Sequence, residues 1–228
     1  MSNPSHPPTT PGRPRLYGRA KGKPLRSIQQ GLMDTLYPQI EIKEQPLSGL
    51  SAYSKIWLEI GFGGSEHLIW QARHNPDVAV LGAEPFLNGT AKAVAGVDEH
   101  ALSNVRLYQG DGRDIMDKLP DGSLECIFVL FPDPWPKARH NKRRIITPEF
   151  LREVHRLLRP GGRFRFASDI IDYVDWTLTR LHADGGFTWP AKQNAEWRNR
   201  PSDWPQTRYE AKAIREGRPC HYFEFIKT

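Results

Sequence analysis

The sequence predicts an α/β fold, in which a mostly parallel β-sheet carries helices on both faces. From residue 55 onward, short apolar strands alternate with amphipathic helices, which is the pattern of a parallel sheet. An acidic residue stands at or just after the first three predicted strands, and the carboxyl ends of parallel strands meet at one edge of a sheet. The chain of 228 residues is long enough for one domain with a full hydrophobic core.

Six strands are predicted from short apolar runs. They cover residues 55–60, 78–83, 105–109, 126–130, 163–167 and 221–226, and the last can pair antiparallel. Helices are expected at 66–74, 86–99, 148–158 and 170–181. The helix that begins at Pro148 is the clearest, because Thr147 can cap it, proline suits the first helical position, and its apolar residues fall on one face.

The two ends of the chain differ from this regular part. Residues 1–24 contain prolines at positions 4, 7, 8, 11, 14 and 24 and few apolar side chains, so we expect a basic, disordered arm. Residues 25–228 are expected to form a single domain. Within it, the segment 188–217 is rich in tryptophan and arginine and is predicted to be an insertion before the last strand.

Composition excludes several classes of protein. The formal net charge is +6 and the pI is about 9.4, which favours an anionic partner. Two cysteines and histidines without paired spacing argue against a disulfide framework and against a metal site. No apolar run approaches the roughly 20 residues needed to cross a bilayer, so we expect no membrane contact. We further expect a cytoplasmic protein that is a monomer or homodimer.

The most informative motif covers residues 131–137, with the sequence FPDPWPK, and a basic run follows it at 139–144. Three prolines hold the backbone extended, so that Asp133 and Trp135 are presented rather than packed. A carboxylate can accept hydrogen bonds from a base edge, an aromatic ring can stack on a base, and lysines and arginines can neutralise phosphates. The alternative is a solvated charge run after a proline-rich turn.

A second motif, EIGFGGSE at residues 59–66, connects the first strand to the first helix of the sheet. Its glycines, Gly61 and Gly63 among them, allow a ligand to approach the backbone, but Glu66 would repel the pyrophosphate of a dinucleotide. S-adenosylmethionine carries no phosphate and has positive charge, so it suits an acidic turn. Glu84 at the end of the second strand could accept from ribose hydroxyls, and Asp111 after the third strand could reach the adenine amino group.

Taken together, these stretches resemble the bacterial tRNA (guanine-N7)-methyltransferases, a family of class I S-adenosylmethionine-dependent enzymes. The resemblance covers nearly the whole chain from about residue 15, and it includes the segments 58–63, 82–84, 110–111, 168–169 and 207–210. It implies a Rossmann-like fold with a seven-stranded sheet. It also implies methyl transfer from S-adenosylmethionine to N7 of a guanine in the variable loop of tRNA.

The resemblance further implies roles for individual residues. Those expected to bind the cofactor are Glu59, Gly61, Gly63, Glu84, Asp111 and Asp133, and Asp133 is also the candidate catalytic residue. Those expected to contact guanine or tRNA are Lys137, Arg139, Asn141, Lys142, Arg143, Arg144, Asp169, Thr207, Arg208, Tyr209 and Glu210. One position departs from the family pattern, because the turn usually carries another glycine where this chain has Ser65.

Several alternatives stay open at this point. Asp133 could cap the turn after the fourth strand, Asp169 could cap the helix at 170, and Trp135 could brace the proline loop instead of stacking on a base. The tryptophans of the 188–217 segment are more typical of packing. For the whole chain, the rivals are an amino methyltransferase acting on adenine and a non-catalytic tRNA-binding protein that kept the fold.

Overall fold

The computed structural model describes Tyr17 and residues 22–228. Within this part of the chain, the strands are β1 (Lys55–Ile60), β2 (Val78–Ala83), β3 (Val105–Tyr108), β4 (Leu124–Leu130), β5 (Leu158–Ser168), β6 (Phe187–Thr188) and β7 (His221–Lys227). The helices are α1 (Ser27–Thr35), α2 (Tyr37–Ile40), α3 (Glu66–His74), α4 (Leu87–Glu99), α5 (Gly112–Met116), α6 (Pro148–Leu157), α7 (Ile171–Asp184), α8 (Ala195–Arg198) and α9 (Arg208–Arg215). A 3₁₀ helix at Ala138–Arg143 follows β4.

The strands form one sheet in the order β3-β2-β1-β4-β5-β7-β6. Pairing is parallel from β3 through β5, whereas β7 runs antiparallel to both β5 and β6. The predicted α/β fold and the antiparallel late strand are therefore confirmed. The short strand β6 was not among the six placed from the sequence, because its two residues carry no alternating pattern.

The hydrophobic core lies on both faces of the sheet, since successive side chains of a strand point to opposite sides. Leu58 and Ile60 of β1 pack with buried residues of α6 and α7. Trp57 of the same strand packs on the opposite face with residues of α3 and α4. Strands covered on both faces read as continuous apolar runs, which explains why they were recognisable in the sequence.

The helix boundaries agree with their sequence signals. Thr147 accepts a hydrogen bond from the Phe150 amide (3.2 Å) at the start of α6, as predicted from its capping position. Helix α7 runs three residues beyond the predicted end and stops at Gly185, whose φ of +73° is the left-handed conformation that glycine adopts easily.

The segment 188–217 packs against the sheet through its aromatic side chains. Trp197 stacks on Phe223 of β7, with ring centroids 6.0 Å apart and an angle of 11° between the rings. Trp204 is buried beside Phe128 and Tyr222. Both tryptophans therefore have packing roles, as their type suggested.

Most of the predicted arm, residues 1–16 and 18–21, lies outside the described residues. Its described part touches the domain: the Gly22 amide donates to Asn88 Oδ1 (2.9 Å), and Asn88 Nδ2 donates to the carbonyl of Lys23 (2.8 Å). Among the described residues, no helix is long and apolar enough to cross a membrane.

Candidate functional site

A cavity of about 410 Å³ opens at the carboxyl ends of β1, β2 and β4. This position follows from the topology. Strand β1 lies between β2 and β4, so the connections after β1 and β4 leave the sheet on opposite sides and separate at this edge. The cavity is lined by the glycine turn after β1, by the ends of β2 and β4, by the start of α5 and by Tyr209 of α9.

The glycine turn follows β1 in a sequence of left-handed backbone conformations. The φ angles of Gly61, Gly63 and Ser65 are +73°, +53° and +67°. Such angles cost an L-residue about 1–2 kcal/mol but cost glycine little, which accounts for the glycine expected at position 65. Helix α4 lies directly against the turn, because a Cβ on Gly89 would come within 2.4 Å of the Gly63 carbonyl oxygen.

The carboxylate of Glu84 joins this turn to the turn after β2. Glu84 Oε2 accepts a hydrogen bond from the Gly63 amide (2.7 Å), and Oε1 accepts one from the Phe86 amide (2.9 Å). Burial raises the pKa of Glu84, and the charges of Asp133 and Glu59 raise it further, while the two amides oppose the shift. Glu84 lines the cavity, and each of its oxygens accepts one amide and keeps a lone pair available for a ligand.

Asp111 borders the cavity from the start of α5. Its carboxylate accepts from the Arg113 amide (3.0 Å), as an N-cap does, and pairs with the Arg113 guanidinium at 2.5 Å. The same side chain therefore caps the helix and faces the cavity.

Glu59 is placed differently from the other predicted acids. It is only 3% exposed and is not among the residues that line the cavity. Its Oε2 lies 2.8 Å from His67 Nδ1, and Gln71 on the next turn of α3 lies 3.0 Å from His67 Nε2. Glu59 thus holds α3 against the end of β1, behind the glycine turn.

The loop after β4 presents Asp133 to the cavity in a strained backbone. Phe131 and Trp135, on either side of Asp133, have φ angles of +49° and +43°. Non-glycine residues at such angles cost about 1–3 kcal/mol each and persist where the surroundings hold them. The protein excludes part of the water around Asp133, and this desolvation raises the pKa of its carboxyl group.

Two residues of the basic run hold this loop from behind. Arg144 Nε donates to the Pro134 carbonyl (2.8 Å), and Arg144 pairs with Asp172 while its guanidinium lies near the rings of Tyr173 and Trp176. The side-chain nitrogen of Asn141, in the orientation its neighbours require, donates to the carbonyls of Trp135 (3.0 Å) and Lys137 (3.2 Å). Both residues were predicted to contact RNA.

Arg144 is 2% exposed, so its guanidinium does not reach the surface where an RNA backbone would lie. The contact predicted for it from the charge run does not fit this position. A buried arginine is satisfied by fixed acceptors, and here the acceptors are a loop carbonyl and Asp172.

The other cations of the run form an exposed basic surface, which consists of Lys137, Arg139 and Lys142. Among the described residues, these three have no carboxylate partner within ion-pair distance. Arg143 lies beside them at the cavity wall, together with Trp135. Lys142 of the basic surface and Asp133 therefore both line the cavity, whereas Lys137 and Arg139 lie outside its lining.

The segment 207–210 forms the start of α9 and places Tyr209 at the cavity. Thr207 caps the helix by accepting from the Glu210 amide (3.2 Å), and the buried Glu210 side chain accepts from the Tyr222 hydroxyl (2.7 Å). Tyr209 lies over Gly63, where a Cβ would come within 2.8 Å of its ring, and Arg208 pairs with Glu66 beyond the turn. Of these four predicted residues, Tyr209 alone lines the cavity.

Asp169 follows β5 and pairs with Arg218 Nε at 2.7 Å. It does not cap α7, whose start has no side-chain cap, and it does not line the cavity. No group of three or more histidine, cysteine, aspartate or glutamate side chains within the described chain is arranged to hold a metal ion.

Tyr17 at the cavity and Gly89, which packs against the glycine turn, are two of the residues missed from the sequence. Tyr17 lies in the predicted arm, and only its placement against Trp135 brings it to the site. Gly89 sits inside a helical pattern, where an isolated glycine is a signal for close packing that could have been used.

Comparison with known proteins gives a consistent result. A family described as "putative methyltransferase" matches residues 53–223. The chain is 48% identical to a tRNA (guanine-N(7)-)-methyltransferase of Caulobacter vibrioides (strain NA1000 / CB15N), over 96% of this chain and 99% of that protein. It is 47% identical to the protein of that name from Agrobacterium fabrum (strain C58 / ATCC 33970), over 93% and 94% of the two chains.

Solved structures share the fold at low sequence identity. The 16S rRNA methyltransferase KamB superposes with a TM-score of 0.57 at 18% identity, covering 82% of this chain and 94% of that one. An rRNA methylase from Streptococcus thermophilus gives a TM-score of 0.52 at 12% identity, covering 89% and 97%. At such identities the likeness concerns the fold alone.

The left-handed backbone of Ser65 leads to a stability prediction. We expect Ser65→Gly to raise the free energy of unfolding by about 1 kcal/mol, because glycine relieves the unfavourable φ angle. The hydrogen bond from Ser65 Oγ to the adjacent Gly64 carbonyl (2.6 Å) is local and offsets little of this gain. Chemical denaturation measures the change.

Ser48→Gly is the matched control, because Ser48 is exposed in a turn and does not have a positive φ. There glycine only adds freedom to the unfolded chain, so the variant should be slightly less stable than the parent. A Ser65→Gly protein no more stable than the parent would contradict the strain assigned to this turn.

Proposed function

Since the chain belongs to the tRNA (guanine-N7)-methyltransferase family, we propose that its cavity binds S-adenosylmethionine and directs methyl transfer to N7 of a guanine in tRNA. The observation that carries the proposal is the position of Asp133, which lines the same cavity as Glu84, Asp111 and Lys142 of the basic surface. A methyl donor and a base in RNA would meet there.

The cofactor side of the cavity fits S-adenosylmethionine by its charge and shape. The glycine turn leaves open space beside Gly61, and Glu84 is fixed by two amides with lone pairs to spare for ribose hydroxyls. Asp111 stands further along the same wall, where an adenine amino group could donate to it. When bound, the cofactor supplies an electrophilic methyl group on a sulfonium.

The chain's residues have little covalent chemistry to perform. Guanine N7 carries a lone pair and no proton, so forming the N7–methyl bond while the sulfur–methyl bond breaks requires no general base. The protein must align the two reactants and favour a base that becomes positively charged. Asp133 can accept hydrogen bonds from the guanine N1–H and 2-amino groups, a pair of donors that adenine lacks, and its charge offsets the charge gained by the ring.

Most of the remaining predicted residues belong to two groups. We assign phosphate contacts to Lys137, Arg139 and Lys142, which are exposed and lack ion-pair partners within the described chain. Arg144, Asn141, Thr207, Glu210 and Glu59 act indirectly, because their side chains are engaged with the loops and helices that shape the cavity.

Asp169 and Arg208 are engaged in ion pairs with Arg218 and Glu66. We therefore assign them only peripheral contacts with tRNA, outside the cavity. We further propose that the arm and the single domain act together in the cytoplasm, as a monomer or homodimer.

The direct test is a map of methylated nucleosides after reaction of the protein with S-adenosylmethionine and bulk tRNA lacking the modification. Digestion and mass spectrometry should give 7-methylguanosine as the dominant product. N6-methyladenosine as the sole product would identify the adenine-modifying rival, and binding without any methylated nucleoside would identify a non-catalytic protein.

The raised pKa of Asp133 predicts an acid limb in the activity profile. Protonation removes the charge that orients guanine, and because the pKa is raised, turnover should begin to fall at a higher pH than an ordinary aspartate, near 3.9, would give. The kcat should decrease as the pH is lowered through the raised pKa of Asp133 and should be constant at higher pH. Single-turnover rates at saturating cofactor measure the profile.

Asp133→Asn should lower kcat by about 100-fold or more and remove the Asp133 part of the limb. Asp98→Asn on α4 is the control, because Asp98 is exposed and distant from the cavity lining. Near-native turnover in Asp133→Asn would eliminate the catalytic role.

The division of the basic run predicts opposite effects for neighbouring residues. Lys142→Ala should weaken tRNA binding, reduce the slope of log affinity against log salt by about one, and leave stability unchanged. Arg144→Met should lower the free energy of unfolding by about 2 kcal/mol, because the Pro134 carbonyl loses its donor, with no change in the salt slope. Salt-dependent binding and denaturation of both variants distinguish the roles; a reduced salt slope in Arg144→Met would place Arg144 at the RNA.

A further inference from the structure

Two aromatic rings and a guanidinium form a cluster at the cavity wall next to Asp133. The rings of Tyr17 and Trp135 lie with centroids 6.0 Å apart at an angle of 72°. The Arg143 guanidinium carbon is 4.4 Å from the Tyr17 centroid and 4.9 Å from the Trp135 centroid. Both distances are within the range of cation–π attraction, so the two rings form an aromatic cage around a planar cation.

Arg143 is held in this cage by the rings rather than by polar partners. Its Nε is buried, and no described residue accepts a hydrogen bond from it. The arginine also has no carboxylate partner in the described chain. A buried N–H without an acceptor is unfavourable, so this placement is one the side chain can leave when a better occupant arrives.

The Tyr17 side of the cage is supported by a second attachment of the same segment. The chain meets the domain again at Gly22, which is hydrogen-bonded to Asn88, and a Cβ on Gly22 would lie 2.8 Å from the Phe86 ring. Phe86 itself lines the cavity. The described residues of the arm therefore contact the cavity wall at two places.

We propose that the Tyr17–Trp135 cage is the binding site of the target base, and that Arg143 occupies it as a planar cation until the base displaces it toward the RNA phosphates. The inference rests on the proposed function. A guanine is neutral when it enters and becomes a planar cation as N7 gains the methyl group. Aromatic faces attract the cationic ring more than the neutral one, so the cage favours the transition state over the bound substrate.

The displaced Arg143 guanidinium can bind the RNA phosphates. Arg143 is adjacent in sequence to Lys142, at the edge of the exposed basic surface, where phosphates would pass. Leaving the cage would give its N–H groups acceptors that they lack inside it. Tyr17 and Trp135 are thus assigned as base-contacting residues, with Asp133 reading the edge of the same ring.

Nucleotide binding tests the cage without requiring turnover. Affinities of 7-methylguanosine 5′-monophosphate and guanosine 5′-monophosphate are measured by equilibrium dialysis against protein saturated with S-adenosylhomocysteine. We expect the parent to prefer the methylated nucleotide by about 5- to 30-fold. Tyr17→Leu and Trp135→Leu should reduce the preference by about threefold or more, leaving the part that Asp133 contributes, whereas Tyr17→Phe, which keeps the ring, should retain it.

Arg143→Met and Trp70→Leu complete the design. Removing the resident cation should strengthen binding of the methylated nucleotide, because Arg143 no longer competes for the rings. Trp70 on α3 stacks on His74 and does not line the cavity, so its loss should leave the preference unchanged. Tyr17→Leu alters a residue outside the hydrophobic core, so its effect does not depend on folding of the domain.

The outcomes separate the cage from the proposed function. A parent protein that makes 7-methylguanosine in tRNA but shows no preference between the nucleotides would overturn the cage alone. An undiminished preference in Tyr17→Leu and Trp135→Leu would do the same. A parent that makes no 7-methylguanosine would overturn the proposed function, whatever the dialysis shows.

Discussion

The arrangement of the site depends on one buried carboxylate, that of Glu84, which accepts an amide from each of two turns. Through Gly63 it fixes the turn after β1, and through Phe86 it fixes the turn after β2. The turn after β1 has three left-handed residues, and α4 and Tyr209 pack against it at Gly63. Burying the charge is unfavourable, as the raised pKa indicates, and the two amides offset that cost. A ligand held by the same carboxylate would meet a preorganised surface.

The loop that carries Asp133 is also held by hydrogen bonds from side chains of another segment. The loop that carries it is strained at two residues, and it is held by a buried arginine and an asparagine from the run that follows. The residues of the basic run therefore have two different functions. Its buried members shape the loop, and its exposed members form a cationic rim, so that the acid and the rim stay at a fixed separation.

The sequence was sufficient for the fold because β1, β2 and β4 are largely apolar and alternate with amphipathic helices, which is the pattern of parallel strands. The same pattern predicted that Glu84, Asp111 and Asp133 meet at one edge of the sheet, and all three line the cavity there, while their roles stay predictions. The sequence could not show that Arg144 is buried and Lys142 exposed, because whether an arginine is buried depends on acceptors distant in sequence, such as Asp172. The sequence T-R-Y-E at 207–210 did carry a readable signal, since it has the spacing of a helix-capping box.

The charge pattern of the cleft explains how a base, rather than a phosphate, would reach its floor. The net charge of +6 attracts RNA, but three carboxylates, those of Glu84, Asp111 and Asp133, line the cavity. Carboxylates repel phosphates and accept hydrogen bonds from the donor edge of a neutral base. Lys137 and Arg139 are exposed outside the cavity lining, so they can hold the RNA backbone while a base turns inward. An aromatic wall between the two zones is where the base would be gripped, because stacking requires no charge at entry and strengthens when positive charge develops on the ring.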